Sequence, residues 1–420
     1  MERNPVLYAK NDYGDRYNFQ DVFFNAHPVN KQNPSPIPPK KPEPPPPPPP
    51  PPPEKKKKRK KFKKPKPKPK PKKKTAPSEE TRKKKHTVFK VITTILLLLI
   101  LSGMGFVLFV ISRINYSREN PDHESIIEAV GELKSDSQVQ NIMIFGADNH
   151  AADENGRSDS MILLSIDKKH HIIKQTSFMR DLYVTIPDYG QNRINAAFSY
   201  GGAKLAVETI EYNFGIEIDN YLVLDYDSFT AIINALDGID IELTEEEIDY
   251  INWQSWRNKQ VESRDELDTN SYEYHENDNE ELVTTVHLNG RQALWHARNR
   301  GQEGICSGDD FTRTARQRVV VNTILTKLQS ANPFTLARMV YDVAPMITTN
   351  MNLGDTLSTS MGMPFYLGYD RMEFRVPQSF NYSDTWVGDA QVLTIDNPEE
   401  EKKALRQFVF DDDTASQQNN

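Results

Sequence analysis

The sequence predicts an α/β domain of about 300 residues, preceded by a long low-complexity segment, and three observations carry that prediction. From residue 138 onward, short apolar runs bounded by glycine or polar residues alternate with segments of helical period, as strands and helices sharing one core should. Residues 1–86 cannot contribute to that core, because proline dominates 34–53 and lysine dominates 55–85. The charge is also divided: residues 1–114 hold 27 Lys+Arg against 8 Asp+Glu, whereas residues 115–420 hold 25 against 51. A domain so acidic repels polyanions, which disfavours nucleic acid as its partner and requires a local arginine cluster for any anionic substrate. Cys306 is the sole cysteine, which excludes an intrachain disulfide and a cysteine-built zinc site.

Taken in order, residues 1–30 show no sustained period, and Pro44 to Pro53 is an unbroken proline run expected to form a polyproline II rod of roughly 30 Å. The lysine-rich block that follows is expected to be disordered, so 1–86 is predicted to be a disordered tail. Val91 to Ile111 is a run of 21 uncharged residues, long enough for a transmembrane helix, which is placed over 88–113 as a signal anchor. The basic block before it sets the orientation: single pass in the cell membrane, N-terminus cytosolic and C-terminal domain outside. Three readings of that block stand side by side: a topology signal attracted to anionic lipid, docking of a cytosolic partner on the proline-rich tail, and nucleic-acid binding. The third is weakest, since only Phe62 interrupts the lysines to stack on a base. Residues 114–137 read as a linker, 138–410 as the outer domain, and 411–420 as a polar tail.

Within the domain, Ile142 to Phe145 and Met161 to Leu164 read as two buried strands, with Asp148 and Asp159 at their ends. If the strands are neighbours, the two carboxylates make a pair of oxygen ligands for a hard cation. Ile172 to Met179 should pair with Met161 to Ile166 across the intervening turn. Ala203 to Phe214 is a helix stopping at Gly215, Tyr221 to Leu224 a strand, and Asp227 the predicted cap of the next helix. Ile239 to Leu243 alternates as a half-exposed strand. The polar stretch from Glu245 reads as an insertion or lid, placed at about 245–285. Thr312 to Leu328 is a helix carrying Arg313, Arg316 and Gln317 in its first turns.

The charged residues are the informative ones. Arg157, Arg180, Arg298, Arg300, Arg313 and Arg316 flank these elements; 298 and 300 face one side if extended, and Arg313 and Gln317 stack along a helix. Converging guanidinium forks suit a pyrophosphate, with Mg²⁺ held against it by Asp148 and Asp159. The bland alternative is a set of ordinary surface pairs worth about 0–1 kcal/mol each. No His-Glu-x-x-His, Walker A or Gly-x-Ser-x-Gly pattern is present, which argues against zinc, P-loop and elbow-serine chemistry.

At these residues the sequence resembles the LytR-CpsA-Psr family of cell-envelope glycopolymer transferases. The likeness runs in order through Phe145-Gly-Ala-Asp148, Arg157-Ser-Asp159, Met179-Arg-Asp181, Arg193-Ile-Asn-Ala-Ala-Phe-Ser-Tyr-Gly-Gly202, Leu288-Asn-Gly-Arg-Gln-Ala-Leu294, Arg298-Asn-Arg300 and Asp310-Phe-Thr-Arg313-Thr-Ala-Arg316-Gln317. It implies an α/β/α sandwich with a central mixed sheet and a hydrophobic pocket for a polyprenyl chain. It also implies transfer of a glycopolymer, such as teichoic acid or capsule, from a polyprenyl-pyrophosphate carrier to peptidoglycan, leaving a phosphodiester link. By position, Asp148 and Asp159 match the acids that hold Mg²⁺ or another divalent cation such as Mn²⁺. Arg157, Arg180, Arg298, Arg300, Arg313 and Gln317 match the pyrophosphate-binding set. Catalysis would fall to Arg180 with Asp181 or Asp148 as acceptor of the hydroxyl proton, a choice the sequence leaves open. Two positions depart from the family pattern: Met179 replaces the usual proline, and His296 replaces a tyrosine near the start of the Arg298–Arg300 strand. The rival readings are a non-catalytic polyprenyl-pyrophosphate or wall-binding protein, and a membrane-bound regulator acting through its cytosolic tail.

Overall fold

A computed structural model describes residues 8–10, 16–18, 90–98, 101–102, 105, 108–109, 112–148, 156–257, 266–268, 271–277 and 279–410. The chain divides into two units, 20–104 and the remainder. In the smaller unit, residues 90–98 and 101–102 are helical. Among the described residues no helix is long and apolar enough to cross a membrane, so the transmembrane helix expected over 88–113 is not supported there. The proline-rich segment, the basic block through 86 and the tail 411–420 lie outside the described residues.

In the larger unit, β1 (Tyr8–Lys10) and β2 (Arg16–Asn18) pair antiparallel inside the segment expected to be wholly disordered. The supposed linker is also structured. Strand β3 (Asn115–Tyr116) joins a sheet edge, and α1 (His123–Val130) buries Ile126 and docks His123 on Glu211 at 3.0 Å. Strands β4 (Val139–Ala147), β5 (Ser158–Asp167) and β6 (Ile172–Phe178) follow as an antiparallel trio, as their apolar runs predict. A small hairpin, β7 (Tyr183–Ile186) and β8 (Gly190–Arg193), leads into α2 (Asn195–Phe214). Next come β9 (Asn220–Leu224), α3 (Tyr226–Ala235), β10 (Ile239–Thr244) and α4 (Glu245–Arg257). Helix α3 is capped by Asp225, whose carboxylate accepts from Ser228 N at 2.7 Å; the predicted cap, Asp227, lies in its first turn, because the helix begins at Tyr226.

Strands β11 (His275–Glu276) and β12 (Leu282–Leu288) precede α5 (Gly290–Arg298), α6 (Asp310–Ser330) and α7 (Pro333–Val343). The chain ends with β13 (Thr348–Thr349), α8 (Leu353–Tyr366), β14 (Asp370–Val376), the pair β15 (Tyr382–Val387) and β16 (Ala390–Ile395), and α9 (Pro398–Phe410).

The central sheet is mixed, in the order β14-β6-β5-β4-β9-β13-β3. Alternation along its strands sends side chains to two faces. On one face Phe145 meets Phe198 at 5.4 Å, Phe178 meets Phe214 at 5.3 Å, and Phe374 meets Phe408 at 5.0 Å, so α2 and α9 cover that side. On the other, Ile142 and Ile166 pack against Met351 and Tyr366, and Ile173 against Leu325 and Leu367, placing α6 and α8 there. A second core joins the antiparallel sheet β10-β12-β11 to α3–α6 through Ile241, Ile248, Ile251, Val286 and Trp295. The polar stretch read as an insertion therefore begins with a helix that is part of this core, its Ile248 and Ile251 fully buried.

Gly215 ends α2 at φ 65°, and its carbonyl accepts from Arg406 Nε at 3.1 Å. A Cβ there would collide with the Arg406 guanidinium. Gly215→Ala is therefore expected to cost about 1–3 kcal/mol from strain at a left-handed position, read by chemical denaturation as a lower midpoint with unchanged slope.

Candidate active site

The site begins at a defect in the sheet. Between β4 and β5, Gly146 faces Ser160 while Ala147 faces Ser158, leaving Asp159 as the extra residue of a β-bulge. Bulges of this kind re-aim a side chain at a sheet end, and Asp159 lines a cavity. Gly146 beside it is closely packed, since a Cβ would stand 3.0 Å from that of Ser160. Asp148 leaves the end of the neighbouring strand, its backbone N donating to the Arg157 carbonyl at 3.3 Å, as the sequence predicts for adjacent strands.

Arg180, after β6, is the hub. Its Nη1 donates to Asp159 Oδ1 at 2.9 Å, and its Nε donates to Asp181 and to Asp310, each at 3.2 Å. Arg300 Nε reaches Asp310 Oδ1 at 3.1 Å, and its Nη2 lies 3.9 Å from Asp159. Arg313 Nη1 is 3.5 Å from Asp310, one helical turn away, and Arg193 Nη1 is 3.5 Å from Asp181. Helix α6 places Arg313 reliably because Asp309 caps it, accepting from Thr312 N at 2.8 Å while Thr312 Oγ1 accepts from Asp309 N.

Three of these groups, Asp159, Arg300 and Arg313, also line a cavity of about 860 Å³. Its lining joins Asp159, Arg298, Arg300, Arg313 and Gln317 to an apolar wall that includes Ile144, Ile162, Leu224, Phe229, Val320 and Leu325. Arg313 is buried, and its Nε has no hydrogen-bond partner among the described residues. Burial holds its pKa down to about 10, with Asp310 opposing and Arg300 and Arg180 adding to the depression. It therefore remains a cation at neutral pH with a spare donor. Arg298 lays its guanidinium over the Tyr226 ring at 4.3 Å. Burial and the nearby Asp148 push the Tyr226 hydroxyl pKa upward, so it remains protonated.

Burial and the hydrogen bond shared with Asp310 raise the Asp181 pKa, against the pull of Arg180. For Asp310, burial is outweighed by Arg313, the Asp181 hydrogen bond, Arg180 and Arg300, and the carboxyl lies below its usual range. The pair thus divides one site between a more basic and a less basic carboxylate.

Of the residues the sequence singled out, Asp159, Arg180, Asp181, Arg300 and Arg313 meet in one network, and Arg298 and Gln317 line the cavity. Arg298 and Arg300 are not on a strand: Arg298 ends α5 and Asn299 is its extended cap, which still sends both arginines to the same cavity. Arg157 and Asp148 are exposed at the hairpin end, and neither lines the cavity. Arg316 turns away, binding Glu247 Oε1 at 2.6 Å and the Asn299 carbonyl at 3.0 Å. His296 is buried beside that pair, and burial pushes its pKa down to about 4, so it is neutral packing. Met179 is likewise buried, its Sδ accepting from Thr314 Oγ1 at 3.5 Å. Sequence reasoning assigned no role to Asp310, Tyr226 or Glu247. Asp310 could have been found from its i, i+3 spacing to Arg313; the other two had no local signal.

Comparison with known proteins adds three findings. A family model, that of the LytR_cpsA_psr family, matches residues 109–403. The polyisoprenyl-teichoic acid–peptidoglycan teichoic acid transferase TagV of Bacillus subtilis (strain 168) is 27% identical over 277 residues, 64% of this chain and 64% of that protein. TagU of Bacillus cereus (strain AH820), of the same description, is 29% identical over 207 residues, 49% and 58% of the two chains. The regulatory protein MsrR of Staphylococcus aureus (strain Mu50 / ATCC 700699) is 27% identical over 310 residues, 72% and 83%. This chain thus spans less than two thirds of the length of the first two relatives. Among solved structures, TagT bound to LIIa-WTA aligns with a TM-score of 0.52 at 21% identity, covering 70% of this chain and 99% of that one. Protein gbs0355 of Streptococcus agalactiae aligns at 0.52 and 20% identity, covering 69% and 91%. These structural likenesses establish the fold.

Proposed function

The chain belongs to the LytR_cpsA_psr family, and on that premise we propose that it transfers a glycopolymer from a polyprenyl-pyrophosphate carrier to peptidoglycan, leaving a phosphodiester link. The observation that carries the reading is the cavity: about 860 Å³, walled mostly by apolar side chains and also lined by Arg298, Arg300, Arg313 and Gln317. A polyprenyl chain is apolar and ends in a diphosphate, and the spare donor of buried Arg313 needs such an anion. The names of TagV and TagU, teichoic acid transferases, agree with this chemistry.

In the reaction a peptidoglycan hydroxyl oxygen attacks the phosphorus next to the sugar. The bridging P–O bond to the distal phosphate breaks, polyprenyl phosphate leaves, and the hydroxyl proton passes to a carboxylate. Asp181 suits that task, since burial and the hydrogen bond shared with Asp310 raise its pKa and strengthen it as a base. Arg300 and Arg313 meet the charge on the diphosphate from preorganised positions, which is where phosphoryl-transfer rate enhancement chiefly arises. Arg180 acts through Asp159, Asp181 and Asp310, which it holds together. Asp148 and Asp159 would hold Mg²⁺ or Mn²⁺. Among the described residues no three His, Cys, Asp or Glu side chains group to bind a metal, so the remaining ligands would be diphosphate oxygens and water, a usual arrangement for Mg²⁺. When bound, such an ion neutralises diphosphate charge.

The 21-residue uncharged run of Val91 to Ile111 supports a membrane anchor with the N-terminus cytosolic; the proline-rich tail would then meet its partner in the cytosol. The transfer assay uses full-length protein, lipid-linked glycan and peptidoglycan oligomer. The expected result is polyprenyl phosphate released in step with glycan joined to the wall oligomer. Donor binding without release would instead establish a non-catalytic carrier.

A further inference from the structure

The cavity's apolar end lies where the domain begins. Ile114, Met339, Val340, Val343, Ala344 and Ile347 form it, and Val340 is also 42% exposed, so the wall there is thin. Ile114 follows the uncharged run 91–111 by three residues. Phe109, within that run, stacks on Tyr341 of α7 at 6.1 Å and 26°. Arg113 sits over the same ring at 4.4 Å, and its Nη1 donates to the Tyr341 carbonyl at 3.2 Å. Helix α7 is thereby clamped to the point where the apolar run joins the domain.

The outer face of α7 is not that of a water-facing helix. Phe334, Arg338 and Tyr341 fall at i, i+4 and i+7, on one side. Phe334 is 83% exposed and Tyr341 41%, and Arg338 pairs with Asp342 at 3.5 Å. Aromatic rings beside an ion pair match the boundary between headgroups and acyl chains.

We propose that this face of α7 seats on the lipid bilayer, and that the cavity's apolar end opens toward the acyl layer between Ile114 and Val340, so that a polyprenyl chain passes from membrane to cavity without crossing water. A second copy of the chain is a poorer occupant. Two rings and one valine fall far short of the roughly 800 Å² per partner that a stable interface buries, whereas the apolar run ending at the clamp itself demands an apolar medium. The lipid-access step rests on the transfer reading above; the seating does not.

Two measurements on the full chain in phosphatidylglycerol–phosphatidylcholine vesicles test it. With acyl-brominated phosphatidylcholine, Phe334→Trp is expected to add a fluorescence component quenched roughly threefold relative to unbrominated vesicles, as for an interfacial indole, after subtraction of the parental signal. Phe334→Asp is expected to raise KM for a membrane-embedded long-chain donor several-fold with kcat unchanged, and to leave a short-chain, water-soluble donor unaffected. An unquenched indole, or quenching that vanishes on dilution as self-association would, overturns the seating. A quenched indole with equal KM effects on both donors overturns the lipid-access step. A quenched indole in a chain that transfers neither donor leaves the seating standing and refutes the transfer reading.

Discussion

Arg180→Ala is expected to lower kcat for glycopolymer transfer by roughly 10²–10³-fold. Among the described residues the guanidinium is the one group bonded to Asp159, Asp181 and Asp310 together, at 2.9, 3.2 and 3.2 Å. Without it three carboxylates face one another, with Arg300, Arg313 and Arg193 left as their cationic partners among the described residues. Their mutual repulsion raises the proton affinity of the group, so the proton acceptor of the reaction is neutralised over part of the working pH range. Burial and these carboxylates act on Arg180 in opposite senses, and the carboxylates win, holding its pKa above the usual guanidinium value. Arg180→Lys keeps the charge and loses the fork, so it is expected to recover only part of the rate. The check is kcat and KM across pH: a positioning role shifts the acidic limb of the kcat profile upward, while donor KM changes little. A kcat within threefold of the parent in both variants would sink this account.

Lys174→Met is the change expected to cost most stability, about 3–5 kcal/mol, or on the order of 10 °C in melting temperature. Lys174 is fully buried on β6, with its ammonium 3.0 Å from Asp167 Oδ2 and 3.1 Å from the Val409 carbonyl at the end of α9. Methionine fills the volume but removes the only buried cation from the Asp167 carboxylate among the described residues, leaving it the His170 ring at 2.8 Å and the backbone N–H groups of Lys169 and His170 at 3.1 and 2.9 Å. The double variant Lys174→Met with Asp167→Leu is expected to regain much of the loss, because apolar replacement of a buried pair is often neutral. The pH dependence has a definite sign. Burial alone would raise the Asp167 pKa, but the His170 and Lys174 hydrogen bonds hold it down to about 2. A depressed acid stabilises the fold above its unfolded pKa of about 4 and loses that contribution as pH falls toward 2. In Lys174→Met the loss should begin at higher pH, seen as an acid-denaturation midpoint moved upward.

The strands ending at Asp148 and beginning near Asp159 were legible because period-2 alternation and apolar run length are local properties. The αL stop of α2 at Gly215 was legible for the same reason. The cap of α3 was misplaced by two residues because Asp225 and Asp227 both suit a helix start, and only backbone geometry tells them apart. Residues 115–130 were read as linker because their strand and helix are short, and pairing with β13 and docking on Glu211 supply what local propensity lacks.

By itself the sequence determined the α/β class, the order of most elements, the charge division of the chain and the identity of the arginines that matter. The tertiary structure alone decided that Arg180 gathers three acids rather than facing the cavity, that Asp310 is one of them, that Arg316 leaves the site for Glu247, and that Lys174 is buried beneath α9. The physical reason is range. Secondary structure follows from spacings of two to four residues. A charge finds its partner across more than a hundred residues, and which partner it finds depends on packing against the sheet.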